Sequence, residues 1–112
     1  MQKKIFREIQ MIIAVDFDGT LVENGVYPYA SKPIIKNIEY VKKMKREGHK
    51  IILWTCREND SLKNAIKFCK DYGIELDAVN ENVDIEEKIK NYGYNSRKVY
   101  ADIYLDDKSI NA

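Results

Sequence analysis

The chain has 112 residues, with 19 Lys+Arg against 18 Asp+Glu and 45% apolar residues, which limits it to one domain able to bury a core without disulfides or a structural metal. A formal charge of +1 argues against polybasic binding to nucleic acid or a membrane surface, because counterion release needs a clear surplus of Lys and Arg. Aromatic residues at 11% beside charged residues at 33% describe a globular chain and name no activity.

Residues 1–10 carry Lys3, Lys4, Arg7 and Glu8 with no uninterrupted apolar stretch behind them, so they read as an N-terminal arm and not as a secretory signal. The longest apolar run, Met11 to Val15, falls far short of the ~20 residues that cross a bilayer, so no membrane span is expected and the default address is the cytoplasm. That same run, stopped by Asp-Gly, suits a strand buried on both faces of a sheet. Ser31 can cap a helix with Pro33 in its first turn, and Ile34, Ile38, Val41 and Met44 recur at helical spacing up to Gly48. His49 then reads as a surface turn residue before a second apolar run, Lys50 to Trp54. Ser61 opens a second helix, with Leu62, Ala65, Ile66, Cys69 and Tyr72 as its inner stripe and Gly73 as its stop. Asp77 to Val79 is a weak strand. Asp84 with Glu87 forms a capping box for a short helix reaching Tyr92, and Val99 to Leu105 is a final strand closed by Asp106 and Asp107.

Strands alternating with helices imply parallel strands joined by crossovers, a three-layer α/β/α Rossmann-like fold with a small, mostly parallel sheet over residues 11–112. In such sheets ligands sit beyond the carboxyl ends of the strands. Those ends carry Asp16-Phe17-Asp18-Gly19-Thr20, Thr55-Cys56-Arg57 and Asp106-Asp107. Each cluster also has a bland reading as a turn, a cap or a solvated strand end. Gathered at one edge, their carboxylates would repel one another unless a cation or a raised pKa relieves them, and a divalent metal is the economical solution. Cys56 and Cys69 have no CxxC spacing and His49 is the only histidine, so neither a zinc site nor a His-based triad can be built, and both thiols are expected to be reduced.

On these residues the chain resembles the haloacid dehalogenase-like superfamily of phosphohydrolases, and specifically its small, capless bacterial and phage members. Asp16-Phe17-Asp18-Gly19-Thr20-Leu21 behind an apolar strand matches the first motif, Thr55 the second and Asp106-Asp107 the fourth; Lys98 is placed as the cationic third motif, with Arg97 and Lys88 as fallbacks. The resemblance implies a Mg²⁺-dependent phosphatase. Asp16 would attack phosphorus to form an aspartyl-phosphate, and Asp18 would serve as general acid and base, its pKa raised by partial burial. Thr55 and the N–H of Cys56 would cradle the phosphate and Lys98 would neutralise it. Asp16, Asp106 or Asp107 and the backbone carbonyl of Asp18 would hold the metal. An acid at Asp18 followed by Gly19-Thr20 is the pattern of phosphatases rather than dehalogenases.

Gly19 allows a sharp turn beside the metal, and Phe17 reads as packing alone. Thr20 and Arg57 are expected at the substrate, Arg57 as a second anion contact. Leu21 to Ser31 leaves room only for a flap and Asn80 to Arg97 only for a short helix, so no cap domain fits. An open site suits a macromolecular phosphoester or a small substrate enclosed by a second copy of the chain. Tyr27 and Tyr29 on the flap either stack on a ring or anchor the loop. Asp102 is an edge residue or a hydrogen-bond hub. Two alternatives stand beside the phosphatase: a nucleic-acid 3′-phosphatase, which the neutral charge does not favour, and a binding module with the fold but no useful turnover.

Overall fold

The computed structural model describes residues 10–24, 32–83 and 99–106. Apolar runs form the strands β1 (Ile12–Val15), β2 (Lys50–Leu53), β3 (Ala78–Val79) and β4 (Ile103–Leu105), with helices α1 (Ile35–Arg46) and α2 (Asn59–Asp71) between the first three. Among the described residues these four strands pair in parallel, in the order β3-β2-β1-β4. None of the described helices is long and apolar enough to cross a membrane.

Alternation along the strands sorts the core into two faces. Ile13, Val15, Ile51 and Leu53 point to one side, where Ile38, Val41 and Met44 of α1 and Ala65, Phe68 and Cys69 of α2 cover them. Ala14 and Ile52 point to the other side and meet Val83, Val99 and Ala101. These three residues stand at the two ends of the connection from β3 to β4. The chain therefore steps outward from β1 to β3 with its helices on one face, then returns to the far side of β1 with the ends of that return on the opposite face.

Several local expectations are revised. The second helix begins at Asn59, and Ser61 is its third residue: Ser61 Oγ accepts the Glu58 N–H at 3.3 Å and donates to Glu58 O at 2.8 Å, closing the first turn from within. Its buried stripe contains Phe68, whereas Ile66 is 37% exposed. Phe68 meets the ring of Phe17 edge-on, with centroids 5.4 Å apart, and stacks on Tyr72 at 4.4 Å. An aromatic pair of this kind adds about 0.5–1.5 kcal/mol beyond area burial, which favours the phase that turns Phe68 inward. The first helix starts at Ile35 without a side-chain cap, and Lys43, Lys45 and Arg46 in its last turn complement its dipole. His49 is buried and its Nδ1 accepts the Met11 N–H at 3.0 Å, so it joins β1 to β2 and is no surface turn residue.

Ser31, the helix expected over Asp84 to Tyr92, the flap tyrosines Tyr27 and Tyr29, the cations Lys88, Arg97 and Lys98, Asp107 and nearly all of the N-terminal arm lie outside the described residues. The base of the flap is described: Glu23 N–H donates to Lys32 O at 2.9 Å and Ile34 N–H to Leu21 O at 2.8 Å.

Candidate active site

The hydrogen-bond ladder runs one residue past the strands. Asp16 N–H donates to Leu105 O at 2.9 Å, Trp54 N–H to Val15 O at 2.9 Å and Asn80 N–H to Leu53 O at 2.8 Å. Val15 is in register with both Leu53 and Leu105, so the carboxyl ends of β1, β2 and β4 are flush and Asp16, Thr55 and Asp106 share one edge. Asp16 and Asp106 line a single crevice of about 370 Å³ with Ala14, Trp54, Tyr104 and Leu105. β1 and β4 flank the point where the strand order reverses, which is where open α/β sheets bind their ligands.

After Asp16 the chain turns tightly. Phe17 O accepts the N–H groups of Thr20, Leu21 and Val22 at 3.2, 2.9 and 3.2 Å, and Gly19 N–H reaches Val22 O at 2.7 Å. Gly19 has φ +84°, and a Cβ there would come within 2.7 Å of the Asn24 side chain. The positive φ of the turn calls for glycine here, and a side chain would also have to displace the end of Asn24. Thr20, expected at the substrate, is fully buried, and its hydroxyl has no hydrogen-bond partner among the described residues. It belongs to the interior of the turn, with its carbonyl accepting from the Asn37 side chain at 2.8 Å.

Asp18 leaves this turn toward the loop after β2. Its carboxylate takes both prongs of the Arg57 fork, Nε to Oδ2 at 2.9 Å and Nη2 to Oδ1 at 2.7 Å. The Arg57 side chain is 1% exposed and that of Asp18 29%. Arg57 Nη1 donates to Ser61 O at 3.1 Å, and its guanidinium lies over the Phe17 ring, 4.8 Å from the centroid. Arg57 therefore does not stand at the surface as an anion contact, as its position in the sequence suggested; it is enclosed, with its charge turned to Asp18. Phe17 does more than pack, since its ring forms the floor under that guanidinium.

Thr55 is held from two sides. Its N–H donates to Asn80 Oδ1 at 2.8 Å, and its Oγ accepts the Arg57 N–H at 3.2 Å, which leaves the hydroxyl proton as the group available to an anion. Cys56, next in the loop, is exposed and free. Cys69 is a buried free thiol whose pKa burial pushes up to about 12, so it is packed and unreactive.

The family model for haloacid dehalogenase-like hydrolases matches residues 13–88, a stretch that contains Asp16, Asp18, Thr55 and Arg57. The chain belongs to the haloacid dehalogenase-like hydrolases. Among solved structures this hydrolase is similar to a conserved protein from Bacteroides thetaiotaomicron, with a TM-score of 0.77 and 38% identity, over 93% of this chain and 81% of that one. None of the curated proteins matches it.

Among the described residues of the hydrolase, no group of three His, Cys, Asp or Glu side chains is gathered to hold a metal ion. The crevice instead offers two carboxylates from neighbouring strands, Asp16 and Asp106, while the Asp18 carboxylate is turned to Arg57. Two hard oxygen ligands in one crevice fit a Mg²⁺ ion that keeps most of its waters.

Two contributors were not legible beforehand. Asn80, with φ +54°, holds the Thr55 backbone from the end of β3. Asn82 is buried and its Oδ1 accepts the Tyr100 N–H at 2.6 Å, tying the start of the return connection to its end. The only advance sign of Asn80 is that a residue tolerant of the left-handed region directly follows a short strand.

Proposed function

We propose that this hydrolase is a Mg²⁺-dependent phosphatase that cleaves phosphate monoesters through an aspartyl-phosphate on Asp16. The observation that carries the reading is the shared crevice: Asp16 and Asp106 meet at the strand ends where the sheet order reverses, with the Thr55 hydroxyl on the adjacent strand end. When bound there, Mg²⁺ would offset the repulsion between the Asp16 carboxylate and an anionic phosphoryl group.

The residues divide the work. An Asp16 carboxylate oxygen attacks phosphorus and the ester P–O bond breaks, while Asp18 passes a proton to the leaving oxygen. Water then attacks the phosphorus of the aspartyl-phosphate, giving its proton to Asp18; the P–O bond to Asp16 breaks, and phosphate leaves with the carboxylate restored. Thr55 donates its hydroxyl hydrogen to a non-bridging oxygen, and the neighbouring N–H of Cys56 is the second donor of the cradle. Asp106 or Asp107 would hold the Mg²⁺ ion together with Asp16 and the Asp18 carbonyl. Lys98, or Arg97 or Lys88 in its place, supplies the cation beside the phosphate. The stretches 25–31 and 84–98 are too short for a cap domain, which supports a site that substrates reach directly.

The test is Mg²⁺-dependent release of phosphate from an activated aryl phosphate. Wild type is expected to turn over and Asp16→Asn to lose it; equal rates from the two proteins would refute the mechanism. Comparing a 3′-phosphorylated oligonucleotide with nucleoside monophosphates and sugar phosphates then places the substrate among macromolecules or metabolites.

A further inference from the structure

We infer that Arg57 is a positioning residue for this reaction: it holds the Asp18 carboxylate and the Thr55 hydroxyl in one rigid frame, and does not bind the phosphate itself. The inference rests on the phosphatase reading above and concerns how one buried side chain serves it.

Burial decides between the two roles. A guanidinium on a side chain only 1% exposed cannot meet an incoming phosphate without leaving its site. That site is complete on several sides: Asp18 takes two donors, Ser61 O takes a third and the Phe17 ring closes one face. Phe17 is held edge-on by Phe68 of α2, and Ser61 lies in the first turn of the same helix. Phe68, Phe17, Arg57 and Asp18 thus form a continuous stack from the helix layer to the strand edge. The Arg57 N–H holds Thr55 Oγ at 3.2 Å, so one residue sets the place of both groups, through its backbone for Thr55 and its side chain for Asp18.

The clamp leaves Asp18 able to act. Each carboxyl oxygen has two lone-pair positions and the planar fork occupies one on each, so a remaining position can carry the proton that passes to the leaving oxygen while the two contacts to Arg57 stay intact. A lysine could keep the charge but not the two-pronged geometry, which makes Arg57→Lys the informative substitution.

The experiment compares wild type, Arg57→Lys, Asp18→Asn and the double variant on two esters: an aryl phosphate with a strongly acidic phenol, which needs no protonation to leave, and an alkyl phosphate, which does. Arg57→Lys is expected to lower kcat/KM on the alkyl ester about 100-fold, the scale of a misplaced general acid, and to leave kcat/KM on the aryl ester within a few-fold, because kcat/KM reads formation of the aspartyl-phosphate and not the hydrolysis step that both esters share and Asp18 also serves. Inhibition by inorganic phosphate should stay within about threefold, and the double variant should lose no more kcat/KM on the alkyl ester than Asp18→Asn alone. A readout independent of turnover is the Arg57 Nε–H resonance, whose exchange with water should be slow in wild type and at least about tenfold faster in Asp18→Ala. A rise in KM and in the phosphate inhibition constant with kcat kept would make Arg57 a phosphate ligand and overturn the inference. Equal losses of kcat/KM on both esters, or an Arg57 resonance indifferent to Asp18, would also overturn it. Turnover of neither ester by wild type would overturn the phosphatase reading and this role together, whereas the other failures leave that reading standing.

Discussion

The two ends of the sheet both carry aspartates, and they use them differently. At the amino end, Asp77 Oδ2 accepts the Ile51 N–H at 2.8 Å and its carboxylate takes Lys45 Nζ at 2.9 Å. Asp102 Oδ2 accepts the Ile12 N–H at 2.8 Å and its Oδ1 the Tyr100 hydroxyl at 2.8 Å. Asp102 thus binds the first N–H of β1 and Asp77 the second of β2, which makes Asp102 a hub rather than a bare edge residue. At the carboxyl end, Asp16 and Asp106 line a crevice, and Asp18 is clamped by a buried arginine. An acidic residue at a strand end is therefore not in itself a functional signal. What distinguishes the two sets is place: Asp77 and Asp102 bind backbone N–H groups at the amino end, whereas Asp16 and Asp106 line the crevice at the carboxyl end.

Substitutions at the two ends should separate catalysis from stability. The largest effect is expected from Asp16→Asn, a loss of about 10⁴-fold or more in phosphate release with the melting temperature nearly unchanged. Asp106→Asn should raise the Mg²⁺ concentration for half-maximal activity about tenfold or more while leaving the fold intact, read from an activation curve. At the opposite end the pattern should invert. Asp77→Ala, which also loses the Lys45 contact, is expected to cost about 2 kcal/mol of unfolding free energy by denaturant titration, and Asp102→Ala about 1 kcal/mol, with kcat/KM of the folded protein unchanged in both. A catalytic defect in either, without a loss of stability, would erase the distinction between the two ends.

The smallest effect concerns Cys69. Its thiol titrates near 12 in the folded protein because burial opposes the thiolate. The unfolded thiol loses its proton first, so folding stability is unaffected below about pH 9 and falls as pH rises toward 12, by about 1.4 kcal/mol per unit at most. Denaturation at pH 8 and pH 10 should show a drop that is smaller in Cys69→Ala. In native protein a thiol reagent should label exposed Cys56 and spare Cys69.

The strands were legible because a buried parallel strand writes itself as a continuous apolar run, as in Ile12 to Val15 and Lys50 to Leu53. Ile38, Val41 and Met44 showed the inner face of the first helix for a similar reason. The second helix was harder. Its sequence offers Ile66 and Phe68 on different phases, and the choice falls to Phe68 because Phe17, far off in the chain, presents a ring to meet it. His49 was misread on the same ground, since its partner Met11 lies 38 positions away.

By itself, then, the sequence determined the alternation of strands and helices, the parallel sheet, and the placing of Asp16, Asp18, Thr55 and Asp106 just past apolar runs. Those features depend on neighbours within a few residues, where period and turn chemistry operate. Only the tertiary structure decided that Thr20 points inward, that Asn80 holds Thr55, and that Arg57 faces Asp18 rather than solvent. The ion pair joins residues 39 positions apart, and a planar fork finds its carboxylate only after β1 and β2 have paired and brought the two loops together.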